Sequence, residues 1–382
     1  MKQGLLTRDW FVGLLVATTV LALGYIGVFS GIERSAYDVG VRYSSNIPSD
    51  KIAIVAIDDV SIANIGRWPW SRDNHAKMHK LLKQGGTKVI GQTTFFVEPQ
   101  LDPGLKHIKA LIEFYASSSL SSKLNDDKLD TDLSLLGEKL MQAEIELNPD
   151  HILAQSLEDT ENVVLAMHFT IGQPLGRPDT DLPDYVQRNR LQNVDSSTFP
   201  GNLYPLLAAE SLIPIAEIGA VADAIGPLIA FPDVDGGIRA EPLIIDYFGD
   251  YYPSQSLLIA ARSLNLGPRD IRITRTGVQL GKLNIRTDDM LRMNTFFYSS
   301  HDGNPVFPVD SFYDVLVGKI PANKYKGKIV LIGTTSTGVG DWMVTPVDSN
   351  MAPVLTLAHS ISSILNEDFF IEPEWSDRKS VV

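Results

Sequence analysis

The chain has 382 residues, 44% of them hydrophobic and 21% charged, and a formal net charge of −13. This is the composition of a globular protein with one large domain or two modest ones, and it excludes a disordered chain. The acidic balance argues against nucleic acid and against an anionic membrane surface as partners, and the absence of cysteine excludes a disulfide framework, thiolate metal sites and cysteine nucleophiles.

The first predicted element is the stretch from Phe11 to Phe29, the only run of its length without a charged side chain. At about 1.5 Å per helical residue it reaches roughly 28 Å, close to the hydrocarbon thickness of a bilayer. Lys2 and Arg8 precede it, and no comparable excess of base follows. The N-terminus is therefore expected in the cytoplasm and everything after residue 30 outside it. An uncleaved anchor is the leading reading. A cleaved signal has a shorter core and an A-x-A site, where this chain has Ser30, Gly31, Ile32 and Glu33. A buried core helix is the third reading. The expected division is a cytoplasmic N-terminus (1–10), a transmembrane helix (11–30), an extracytoplasmic domain (31–370) with a helical excursion at about 101–150, and a tail (371–382).

Ile52 to Ile57 is a continuous apolar run and reads as a buried strand. It ends in Asp58 and Asp59, and a loop with Gly66, Arg67, Trp68, Pro69 and Trp70 is expected after it. Ser71 or Asp73 caps a helix that Gly85 and Gly86 stop. Val89 to Phe96 forms the next strand, so the spacing predicts a βαβ unit with parallel strands and a right-handed crossover. Two apolar stripes, through Ile108 to Tyr115 and Leu129 to Leu140, predict a helical hairpin between Pro99 and Pro149. The eleven acids and three bases of residues 121–161 read as a solvated helical face, a cation-binding or docking face being the alternative. A helix over 150–157 feeds a strand from Val163 to Phe169.

Residues 172–202 lack periodicity and read as a long surface loop. Ile225–Phe231 and Ala240–Tyr247 read as an antiparallel hairpin around Asp233, Asp235 and Gly236. Then come a helix over 254–265, a small hairpin around Gly277, a strand over Arg292–Tyr298, a short helix over Ser311–Val317, a buried strand over Ile329–Ile332 and a last helix over Pro353–Leu365. The expected fold class is α/β with a mixed sheet, parallel in its first half and with antiparallel hairpins later, preceded by the transmembrane helix.

Asp58 and Asp59 sit at the carboxyl end of a buried strand, where open α/β sheets place ligand crevices. Adjacent residues of an extended chain point apart, so at most one faces a pocket, and either can instead accept hydrogen bonds from the following backbone. Arg67, Trp68, Pro69, Trp70 and Arg72 can form a rigid shelf for an anionic or aromatic ligand, or wedge the loop against the membrane-proximal helix. Thr334, Thr335 and the loop up to Asp341 can present backbone N–H groups to an anion or form a plain turn. It lacks the lysine and spacing of a P-loop. Asp233, Asp235 and Gly236 lack the further ligands of a calcium loop and read as a structural turn. His75 and His79 stand four apart without a third metal ligand, and His359 stands alone, so no metal is assigned. No catalytic constellation is present.

Four segments taken in order are similar to one family: Ile57-Asp58-Asp59 with Gly66-Arg67-Trp68-Pro69-Trp70 and Arg72; Pro232-Asp233-Val234-Asp235-Gly236 with Arg239 and Pro242-Leu243; Tyr252-Pro253-Ser254; and Gly327-Lys328-Ile329-Val330-Leu331-Ile332-Gly333-Thr334-Thr335 with Gly338, Asp341, Thr345 and Pro346. Asp314-Val315-Leu316 and His359 also fall where expected. The chain resembles the second type of CHASE domain, the extracytoplasmic sensor of bacterial cyclases, histidine kinases and Ser/Thr kinases, over about residues 33–370. The resemblance implies a non-enzymatic periplasmic sensor anchored in the bacterial inner membrane through Phe11–Phe29, working as a homodimer with an unknown small ligand and no cofactor. It implies cyclase or kinase output on the cytoplasmic side. Members of the family continue into further membrane helices, and this chain ends at Val382, which implies a truncated receptor or a module without its own effector. Where the family carries Asp after the glycine of its second strand, this chain has Gln92, so a polar pairing with Asp58 is not expected. An anchored dimerisation scaffold and, further off, a periplasmic enzyme are the alternatives.

Overall fold

Helix α1 spans Asp9–Tyr25 and is apolar on every side. Large apolar side chains on it are exposed, Trp10 and Leu14 each at 58%. The structure, a computed structural model, describes residues 9–25, 30–100, 102–118, 120, 127–174, 176, 180–192, 194, 199, 203–300 and 305–371. Among the described residues no helix is long and apolar enough to cross a membrane. Residues 26–29 of the span expected from the sequence lie outside the described ones. Helix α2 (Ser30–Tyr43) follows.

Strand β1 (Ile52–Ile57) is buried throughout, as its unbroken apolar run predicts. Helix α3 (Asp59–Ile65) stands directly after it, where a loop was expected. Asp58 starts that helix, its carboxylate accepting from the Ser61 N–H at 2.8 Å. Helix α4 (Arg72–Gln84) begins after Ser71 and ends at Gly85. Strand β2 (Val89–Gln92) is half its predicted length, because Thr93 to Phe96 leave the sheet. Helices α5 (Pro103–Ser117) and α6 (Asp127–Glu146) form the expected hairpin, and α7 (Pro149–Thr160) leads into β3 (Val163–Ile171). Within the stretch read as a surface loop, α8 (Asp184–Gln187) and buried Leu182, Val186 and Leu191 bind the described residues to the core.

The rest of the chain supplies β4 (Leu206–Leu212), α9 (Ala216–Gly219), β5 (Ala224–Pro227), β6 (Ala240–Pro242), β7 (Ile244–Tyr247), β8 (Asp250–Pro253), α10 (Gln255–Ser263), β9 (Ile271–Thr274), β10 (Gly277–Leu280), β11 (Leu283–Arg286), β12 (Arg292–Asn294), β13 (Val309–Ser311), α11 (Phe312–Leu316), β14 (Ile329–Thr334) and α12 (Pro353–Asn366). The hairpin predicted over 225–247 does not form. β5 pairs in parallel with β3, β6 pairs with β12, and β7 pairs with β8. Pro227 and Pro232 lack the N–H that a ladder needs, so the chain leaves the sheet between them. The turn itself is present, with Gly236 N–H donating to the Asp233 carbonyl at 2.9 Å. The hairpin around Gly277 forms as predicted and gains β11 as a third strand.

In the main sheet β13, β1, β14, β2, β3 and β5 run parallel in that order, and the far end of β3 pairs antiparallel with β4, which carries β7 and β8. β1 and β2 are parallel, as the βαβ reading predicts, but β14 is inserted between them. No local pattern signals this, since the inserted strand lies more than two hundred residues away. Side chains alternate across the sheet. Val55 and Ile57 meet α4 and α7 on one face through Met78, Leu82, Leu153 and Leu157. Ile52 and Ile54 meet α10 and α12 on the other through Ile259, Ala358 and Ile361. The fold is mixed α/β, with helices on both faces of a largely parallel sheet.

Candidate functional site

A cavity of about 540 Å³ opens beyond the carboxyl ends of β14, β2 and β3, the place where open α/β sheets bind ligands. Thr93, Thr94 and Phe95, the residues that leave β2, form one wall with Trp68 and Pro69. His168 of β3 and the out-of-sheet segment Leu228–Ala230 form a second. The third comprises Thr334, the loop from Val339 to Asp341, and Pro353, Thr356 and Leu357 at the start of α12. Ile238, Glu241 and Met343 close the remaining side. The floor is tight at Gly333, where a Cβ would stand 2.6 Å from Thr93 Oγ1 and 2.7 Å from Val354 Cβ, so only glycine lets α12 approach β14 this closely.

Three of the nine residues singled out from the sequence line this cavity: Trp68, Thr334 and Asp341. The other six are placed elsewhere. Asp58 accepts from Ser61 N–H and from the hydroxyls of Ser61 and Ser311, at 2.5 and 2.9 Å, and so locks α3 to β13. Asp59 accepts from the Ser336 hydroxyl, holding the Thr334–Asp341 loop against α3. Thr335 donates its N–H to the Ile57 carbonyl at 3.1 Å. Arg67 is exposed.

Trp70 and Arg72 belong to a packed aromatic box. Trp70 donates from Nε1 to the Gly66 carbonyl at 2.8 Å and lies 5.0 Å from the Phe312 ring. The two indoles meet edge-on at 5.2 Å. His75 sits between Trp68, Phe96 and Phe312, where burial lowers it to about 3. The Arg72 guanidinium stacks on Phe96, not on an indole, and forms a buried ion pair with Asp150. Asp150 therefore departs from the solvated acidic face in which its neighbours were grouped, and it also accepts from Gln100 N–H at 3.0 Å. The shelf built here packs against α4 and α11, not against α2, the helix expected from the sequence to lie near a membrane.

Gln92 is engaged with His79 at 3.1 Å and with the Thr94 hydroxyl at 2.9 Å, not with Asp58. Burial lowers His79 to about 4. His359 accepts the Tyr298 N–H at 3.1 Å and is buried against Phe297, Tyr298 and Phe307, which lowers it to about 3. Among the described residues no three His, Asp or Glu side chains gather as metal ligands.

Sequence reasoning missed the residue with the most unusual chemistry. Glu241 lines the cavity from β6, and its two oxygens accept from Ser256 Oγ at 2.6 Å and Ser360 Oγ at 3.4 Å. Burial raises this carboxyl to about 7, against the pull of both serines. The signal was present: Glu241 is the one acid in the apolar run from Ala240 to Ile245. His168 similarly interrupts the apolar run of β3.

One wall of the cavity is also the seat of α2. Ile238 and Met343 pack with Val41 and Tyr37 of that helix. Beside Glu241, Arg239 pairs with Asp38 of α2 at 2.8 Å and with Asp233 and Asp235 of the turn, each at 2.9 Å. Its bonds to Asp235 hold that carboxyl down at about 2. Tyr37 donates to the Thr295 carbonyl at 2.5 Å and meets Phe370 edge-on at 4.8 Å. Phe370 in turn stacks on Phe296 at 5.4 Å. The helix after α1 and the segment after α12 thus lie side by side. Neither a curated protein nor a solved structure matches the chain. A family model described as the CHASE2 domain matches residues 12–381, nearly the whole chain, and the protein therefore belongs to this family of sensory extracellular domains.

Proposed function

We propose that the chain is the ligand-sensing part of a bacterial membrane receptor, held by residues 11–30 with the domain 31–370 in the periplasm, and that its occupied cavity repositions α2 and the segment around Phe370. Cyclase or kinase output on the cytoplasmic side would be driven through those two segments, and the receptor works as a homodimer. The observation that carries the reading is the shared wall, in which Ile238 and Met343 line the cavity and pack against α2. Interiors are close-packed, so a change on one side of such a wall is felt on the other. Support for the anchor comes from α1, where Trp10, Val12, Leu14, Leu15, Val16 and Val20 are exposed, as a lipid-facing helix requires.

The test is hydrogen exchange on the full chain in lipid nanodiscs. Ala230→Trp places a large side chain at an exposed position of the cavity wall. Altered exchange over residues 34–43 and 367–371, with β9–β11 unchanged, supports the coupling. Exchange in α2 that ignores the filled cavity sinks it.

A further inference from the structure

Resting on the reading of the cavity as a ligand site, we infer that its occupant is a small organic cation, an amine carrying a compact apolar group. Charge decides first. The cavity is lined by two carboxyl groups, Glu241 and Asp341, and by no lysine or arginine. Two guanidiniums adjoin lining residues along the chain: Arg239 is committed to Asp38, Asp233 and Asp235 on the side of α2, and Arg67, before Trp68, is exposed and is not among the lining residues. An anionic ligand would meet two acids, with the imidazole of His168 as the one basic side chain among the lining residues. The N-terminus of α12 at Pro353 opposes them with roughly half a positive charge, which Asp341 and the ionised fraction of Glu241 near pH 7 outweigh.

Position decides next. Glu241 is fixed by hydroxyls from two helices, Ser256 of α10 and Ser360 of α12, and stands partly open to the cavity. Burial disfavours its charge, so it gains more from a cation beside it than an exposed carboxylate does. Asp341 is exposed at the mouth, where it attracts a cation. The Thr356 side chain lines the cavity, with its hydroxyl enclosed behind the surface and without a partner in the protein. Phe95, Leu228, Ile238, Met343 and Leu357 add apolar surface to the same cavity, and Trp68 a π-face for the cation. A volume of about 540 Å³ lies within the ordinary range for small-molecule sites.

Calorimetry on the full chain in phosphatidylcholine nanodiscs tests the inference with three probes of one shape: phenethylamine, 2-phenylethanol and 3-phenylpropionate. Phenethylamine is expected to bind at least tenfold more tightly than either other probe. Glu241→Gln should weaken it tenfold or more and leave 2-phenylethanol unchanged. Asp341→Asn, at an exposed site that carries no fold contact of note, should weaken it severalfold and guards against misfolding of the first variant. If the alcohol or the carboxylate binds as well as the amine, the cation class is overturned while the cavity stands as a ligand site. Amine binding indifferent to both substitutions places the amine elsewhere and overturns the inference. Binding by none of the three also overturns it, and the ligand-site reading is then decided by the exchange response to Ala230→Trp.

Discussion

The aromatic box around His75 and the cavity beside it share Trp68 but are built on opposite terms. In the box the polar groups around His75 are spent on the fold, Trp70 on Gly66, Arg72 on Asp150, Asp58 on Ser61 and Ser311, and His75 Nδ1 is left without a partner. In the cavity, Glu241 stays partly open and Thr356 keeps an unpartnered hydroxyl. The lesson is that an unusual cluster of residue types in the sequence marked the packed region, while the accessible one was assembled from single, scattered residues. Substitutions in the box should therefore act on stability, and those in the cavity on what it holds.

The largest effect is expected at Arg72. Arg72→Met leaves Asp150 buried without its partner, which costs about 3–5 kcal/mol in comparable buried pairs. Urea unfolding should show it as a lowered midpoint, and restoring Asp150→Leu in the same chain should recover much of the loss. A loss below about 1 kcal/mol would mean the pair is far more hydrated than its burial implies.

Acid comes next. His75, His79 and His359 are held neutral by burial at about 3, 4 and 3, below the usual imidazole value. In the unfolded chain they take up protons near pH 6.5. Stability should fall as pH drops from 6.5 toward 4, because the unfolded state binds more protons there. Glu241 acts in the opposite sense, so two net protons remain. Between pH 6.5 and 5 the loss should be about 3 kcal/mol, at 1.36 kcal/mol per pKa unit. Flat stability over that range would break the assignment of neutral buried histidines.

Glu241 separates the two regions most directly. Its folded value of about 7 lies above the unfolded carboxyl value of about 4.3. Its contribution is therefore complete below pH 4 and lost as pH rises through 7. Glu241→Gln removes that loss, so the variant should gain about 2 kcal/mol on the wild type between pH 5 and pH 8, after allowing for the side chain's opening to the cavity. Melting temperatures at the two pH values measure it. Asp58→Ala, by contrast, should cost about 1–2 kcal/mol, as a lost helix cap does.

Much of the fold was legible because its elements carry local signals. The apolar runs of β1, β3 and β14, the glycine stops after α4 and the Gly277 hairpin read directly from side-chain pattern. The insertion of β14 between β1 and β2 did not, since pairing partners distant in sequence leave no local trace. The 225–247 stretch misled because apolar residues flank a good turn, and two prolines outweighed that pattern. At the site, Trp68, Thr334 and Asp341 were legible as strand-end loop residues. Thr93, Phe95 and Leu228 were not, because their role comes from leaving the sheet, and residue type does not encode that departure.

The smallest effect should come from Thr356, and its sign is informative. A buried hydroxyl that is hydrogen-bonded stabilises, whereas one left without a partner costs desolvation on folding and returns nothing. Thr356→Val keeps the shape and the β-branch and removes only the oxygen. At a spent position such as Ser363, whose hydroxyl donates to the His359 carbonyl at 2.9 Å, removing the oxygen by Ser363→Ala should cost about 1 kcal/mol. At Thr356 the change should lie between zero and a gain of about 1 kcal/mol, as read by urea unfolding of the two variants side by side. A loss at Thr356 equal to that at Ser363 would mean its hydroxyl is already committed to the fold, and the distinction between packed box and open cavity would lose its sharpest point.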